Sequence, residues 1–146
     1  MTGFNRTEPL GRRIVRLLLV ALYLAAGVMH LTRPEPFIAI TPPWVPAAPL
    51  VITLTGLAEL AGAIGLLQGW SPALRRAAGW GLAAYALCVW PANVHHMLMD
   101  LARPDHGLGW AYHGPRMLMQ PVLIWAAAWA GGGLRGGRTA SPAQSR

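Results

Sequence analysis

The chain has 146 residues, 54% of them apolar and only 12% charged, with a mean hydropathy of +0.39, so water is the wrong solvent for most of it. All twelve basic residues are arginines against five acids, a net charge of +7, yet no arginine run interleaves with aromatics on a polar face, which argues against nucleic-acid binding. The single cysteine, Cys88, excludes an internal disulfide, a dithiol mechanism and a zinc-thiolate centre; lying in an apolar run, it is expected to be a small core residue.

Residues 1–13 form a basic segment placed in the cytoplasm, and residues 14–31 are apolar apart from Arg16, long enough to cross a bilayer with that arginine reaching back to the interface. The same stretch also has the basic start and small residues of a secretory signal, an alternative that would leave three spans. The connector that follows carries Pro34, Pro36, Pro42, Pro43, Pro46 and Pro49, which predicts an extended, stiff outer loop without regular helix, covering the bundle mouth with Phe37 and Trp44 in the headgroup layer. A second span covers residues 50–67 with Glu59 near its middle. After the turn at 68–72 and the pair Arg75–Arg76, a third span covers 77–99, with a kink expected at Pro91. Residues 100–116 read as a polar connector, residues 117–134 as the fourth span, and 135–146 as a disordered cytoplasmic tail. Residues 14–131 thus make one membrane domain.

Orientation follows from arginine counting, because cytoplasmic loops retain positive charge. Arg6, Arg12, Arg13, Arg16, Arg75, Arg76, Arg135, Arg138 and Arg146 fall on one side of a four-span arrangement, and only Arg33, Arg103 and Arg116 on the other. The expectation is an all-α, integral membrane four-helix bundle with both termini inside, in the cytoplasmic (inner) membrane of a bacterium. The lipid bilayer is its first partner, and homo-oligomers are compatible with this shape. A short echo, Met29–Pro34 against Met99–Pro104, is what duplication of a two-helix hairpin would leave.

The informative residues are those that do not belong in hydrocarbon. An ionised carboxylate at bilayer depth costs at least about 2.5 kcal/mol, so Glu59 must face the bundle, where Gly56, Gly62 and Ala63 let another helix approach. Asn93 and His96 share a face of the third span, Arg116 and Gln120 share a face at the start of the fourth, and His30 closes the first. Laid out in alternating directions, these six residues define one outward-opening pocket. The plain alternative is that Glu59 bonds Asn93 or Gln120 as interhelical glue, with His95 an interface residue, Arg116 a headgroup anchor, and Trp70, Trp80, Trp110 and Trp129 an aromatic belt. Ligation of a haem by His30 and His96 is a weaker reading, and no metal site is expected.

Tyr23 to His30, followed by Pro34, Phe37, Ile40 and Pro42, then Gly56–Leu57–Ala58–Glu59 with Gly62, Pro91–Ala92–Asn93, and Arg116 with Gln120–Pro121, together resemble the DoxX-like family of four-helix membrane proteins over about residues 14–131. That family takes its name from the small subunit of a thiosulfate:quinone oxidoreductase. The resemblance implies four spans and an accessory subunit or small component of quinone-linked redox metabolism, with a membrane redox protein as partner and a quinone as the cofactor to expect. With Cys88 alone, the chain departs from any relative that uses cysteine pairs. The other functions compatible with the sequence are a non-catalytic membrane scaffold or assembly factor and a small proton-coupled transporter.

Overall fold

A computed structural model describes residues 8–134; the first part of the basic N-terminal segment and the tail 135–146 lie outside the described residues. The described residues are all-helical, in five helices: α1 (Leu10–Thr32), α2 (Glu35–Ala39), α3 (Ala48–Leu67), α4 (Pro72–Leu101) and α5 (Gly109–Ala130). By length and composition, α1 and α3 are apolar enough to cross a membrane.

Local chemistry explains the boundaries. α1 stops at Thr32 because Arg33, which precedes a proline, is pushed out of the helical region, to φ −140° and ψ 68°. α4 begins where the Ser71 hydroxyl accepts the Leu74 N–H at 3.2 Å and Pro72 occupies the first turn, where its missing N–H has no cost.

Three sequence expectations need correction. The proline-rich connector contains the short helix α2, because Pro34 and Pro36 fall at its cap and first turn, where proline is tolerated; the segment is folded back rather than extended. The polar connector after α4 is only residues 102–108, and α5 begins at Gly109, so Trp110, Tyr112, His113 and Arg116 are helical. The helix runs through Pro115 and Pro121. Likewise α4 is continuous through Pro91. Finally, Cys88 is exposed on α4 and not a core residue.

The helices pack in a ring, α1 on α3, α3 on α4, α4 on α5, with α5 returning to α1. Their buried faces recur every seven residues: Arg16 and Tyr23; Glu59 and Leu66; Gly79, Ala86, Asn93 and Asp100; His113, Gln120 and Ala127. A seven-residue stripe is the seam of near-parallel packed helices. Small residues bring the backbones close: a Cβ at Gly27 would lie 2.9 Å from the Gly56 carbonyl oxygen. The start of α1, the start of α4 and the end of α5 meet around a groove holding Arg12, Arg75 and Arg76, and Arg16 pairs with Glu8 there. At the other end, α2 packs against α3 and the 102–108 turn joins α4 to α5.

Candidate functional site

Two polar clusters lie along the buried stripes. The first surrounds Glu59, a residue only 3% exposed. Tyr85 of α4 donates its hydroxyl to Glu59 Oε1 at 2.8 Å. The second carboxyl oxygen, Oε2, lies 2.8 Å from His30 Nδ1, but the ring N–H is directed to the Ala26 carbonyl 2.9 Å away. Oε2 is therefore buried without a hydrogen-bond partner, as is the hydroxyl of Tyr23, whose ring meets Tyr85 edge-on at 6.2 Å.

This group forms one wall of a cavity of about 280 Å³ between the helices. Asn93 and Gln120 line it from α4 and α5, joined by an Asn93 amide that donates to Gln120 Oε1 at 3.1 Å, and the Gln120 amide donates onward to the Ala86 carbonyl. Arg116 reaches the cavity from one turn above Gln120. α2 and the residues after it cover the opening with Phe37, Ile40, Pro42 and Trp44, and the Phe37 ring stacks on His30 at 3.8 Å. The remaining wall is mostly apolar, including Leu22, Ile52, Val89 and Leu123, with Thr41 and Thr55 among them.

Of the six residues singled out in the sequence, five line this cavity: His30, Glu59, Asn93, Arg116 and Gln120. The expected bond from Glu59 to Asn93 or Gln120 is replaced by those to Tyr85 and toward His30, and the two amides pair with each other. His96 belongs to the second cluster, so His30 and His96 do not share a centre. His95 faces a separate outer groove with Trp44 and Trp90.

The second cluster closes the α4–α5 turn. Asp100 Oδ2 accepts the Leu108 N–H at 3.1 Å and is 3.0 Å from His113 Nε2 and 3.6 Å from His96 Nε2. Those contacts, led by the Leu108 N–H and then the His113 ring, hold the Asp100 carboxyl below its ordinary value of 3.8. On the other side of His96, Arg116 lies 2.8 Å from Nδ1. A guanidinium only donates, so His96 Nδ1 is the acceptor and its Nε2 carries the proton. His113 is fully buried, and its Nδ1 has no partner.

Tyr85, Asp100 and His113 were missed in the sequence, though a signal was present. Asp100 is seven residues after Asn93 and His113 seven before Gln120, so extending either stripe by one repeat finds them. Tyr85 carries no such mark, since a tyrosine in an apolar run reads as ordinary packing.

No curated protein and no solved structure matches the chain. A family described as a domain of unknown function, DUF8561, matches residues 19–131, from the middle of α1 to the end of α5, so both clusters lie inside it. The chain belongs to the DUF8561 family.

Proposed function

We propose that this is a four-span protein of a bacterial cytoplasmic membrane, with both termini inside, whose central cavity takes a flat lipophilic ring bearing hydrogen-bonding oxygens, of the quinone class, as a component of quinone-linked redox metabolism. The membrane reading is supported by an inverted polarity. Leu18, Leu54, Ile64, Leu87, Leu98, Leu118 and Val122 are exposed, whereas Glu59, Asn93, Asp100, His113 and Gln120 are buried. A soluble protein distributes these types the other way, and an apolar exterior suits lipid. At 1.5 Å per residue, even the 20-residue α3 reaches the roughly 30 Å of a hydrocarbon core.

The observation that carries the ligand reading is the Oε2 of Glu59, close to His30 Nδ1 yet receiving no hydrogen bond from it, on the wall of a largely apolar cavity. A buried carboxyl oxygen without a partner is costly, and a ligand hydroxyl or carbonyl meeting it removes that cost. In its acid form Glu59 donates to a ring carbonyl; as the anion it accepts from a ring hydroxyl. Tyr85 fixes the other oxygen and so the direction in which Oε2 points. Asn93 and Gln120 offer an amide edge farther up, and the Arg116 guanidinium attracts electron-rich oxygen at the mouth. A quinone supplies reversible uptake of electrons and protons; the protein's part is to bind, orient and hold a proton at Glu59. The likeness to the DoxX-like family points the same way.

The test is mild detergent purification followed by solvent extraction and mass spectrometry of bound small molecules, on the wild type and Glu59→Gln. The expected result is a prenylated ring compound retained by the wild type and reduced at least about tenfold in the variant, a loss of roughly 1.4 kcal/mol in binding. Its absence from the wild type, or equal retention by both proteins, overturns the reading. Loss of a co-purifying protein instead would mark a scaffold.

A further inference from the structure

We propose that His96, Asp100 and His113 form a binding site for a first-row divalent transition-metal ion, of which zinc is the type, at the outer turn between α4 and α5. The site is separate from the ligand cavity and does not rest on its assignment. One ligating atom from each residue lies within 4.8 Å of the others. Four ligands placed tetrahedrally at about 2.0–2.1 Å from zinc lie about 3.3 Å apart. Here the carboxylate oxygen is 3.0 Å from one imidazole nitrogen and 3.6 Å from the other, so these two edges bracket that spacing.

The supports of the three ligands differ in a useful way. His96 and Asp100 are one helical turn apart on α4 and so project side by side. His113 comes from the facing helix α5 and is fully buried, so its ring is held by packing. Its Nε2 donates to Asp100, and its Nδ1 has no hydrogen bond, so the proton that a cation displaces from Nε2 has an unoccupied nitrogen to move to. Two imidazoles and one carboxylate suit zinc, cobalt or nickel over magnesium or calcium, which prefer oxygen. Three protein ligands leave a coordination position for water or a further group.

Arg116 sets the condition for binding. His96 accepts the Arg116 N–H at Nδ1, and a neutral ring cannot offer a lone pair at both nitrogens. Metal binding at Nε2 therefore moves the His96 proton to Nδ1 and detaches the guanidinium. The Arg116 charge also opposes the incoming cation. An occupied site thus frees Arg116, a residue that lines the cavity below.

The experiment is titration of the full-length protein in detergent, purified with a tag that lacks histidine, using Co²⁺ followed by its visible absorption and Zn²⁺ by competition. One ion per chain is expected, with affinity falling at least about tenfold in Asp100→Asn and in His113→Ala. His95→Ala and His106→Ala, which remove neighbouring histidines outside the cluster, are expected to leave it unchanged. Arg116→Met is expected to tighten binding several-fold, which a merely structural role of the cluster would not produce. Should His113→Ala fail to fold, Asp100→Asn and Arg116→Met decide the matter in opposite directions. No Co²⁺ spectrum at millimolar metal, or binding that falls with His95→Ala or His106→Ala and not with Asp100→Asn, overturns the assignment.

Discussion

Glu59 and Asp100 are the two buried carboxylates among the described residues, each on a seven-residue stripe and each with a histidine within about 3 Å, yet their surroundings are opposite. Asp100 gathers three nitrogens around its Oδ2, from Leu108, His113 and His96, at the turn between α4 and α5. Glu59 is met by one hydroxyl and by an imidazole whose N–H is directed elsewhere, and one oxygen looks into a cavity. The contrast teaches that burial of a carboxylate does not by itself mark a ligand site. Asp100 organises the chain around itself, and Glu59 is left incomplete by the chain.

The strongest way to break the Asp100 region is at Gly107. Its φ is +52°, and a Cβ there would lie 2.5 Å from Asp100 Cγ and 2.6 Å from Oδ1. Gly107→Ala therefore combines a left-handed backbone conformation with a collision, and we expect a loss of about 2–3 kcal/mol, read as a lowered melting temperature in detergent. An unchanged melting temperature would show that the turn yields freely. At Glu59, Tyr85→Phe removes a single hydrogen bond to a buried carboxyl group and is expected to cost about 1–2 kcal/mol. It should also loosen any bound ring compound, because Oε2 is no longer aimed. Retention equal to the wild type would separate Tyr85 from the cavity's function.

Much of this arrangement was legible in the sequence, and the failures have identifiable causes. Glu59 was visible because a carboxylate in an apolar run has few places to go. Asn93, Arg116 and Gln120 were visible because helical spacing puts each on a face with another polar group. What was lost followed from reading polar and proline-rich stretches as connectors. The polar residues between 100 and 116 made the first turns of α5 look like connector, which hid His113 and with it the role of Asp100. In the same way Pro34 and Pro36 concealed α2, although both fall where a helix start accommodates them. Cys88 was misplaced because an apolar run does not say which of its residues face inward; the outward side of α4 is apolar too.

A pH series sharpens the comparison further. The folded Asp100 carboxyl titrates below its ordinary 3.8, so its contribution to stability is complete above that value and is lost as the pH falls through the lower, folded one. Asp105 is also held down, first by Arg103 and then by the Gly107 N–H, but it is exposed, so its contribution to the limb is small. The expected outcome is an acid limb of unfolding below about pH 4. Asp100→Asn should flatten that limb while lowering stability at neutral pH, where the carboxylate is otherwise present. A limb of unchanged steepness in the variant would place the acid sensitivity elsewhere.

The smallest effect is expected on the solvent side of the turn, and it is informative for that reason. Arg103 makes a two-point contact with Asp105 at 3.0 and 3.2 Å, closer than the 3.6 Å between His96 and Asp100, and the Asp105 carboxylate raises the pKa of its guanidinium. By distance alone it would rank as the better interaction. Both side chains are more than half exposed, however, at 60% and 64%, so water competes for each charge and the ordering of two long side chains offsets what remains. Arg103→Gln should therefore leave the melting temperature unchanged within error at physiological salt, with a small decrease emerging only at low ionic strength. A clear loss at physiological salt would mean that the 102–108 turn is held from its solvent side as well as by Asp100, and that the closure attributed to the buried carboxylate is shared.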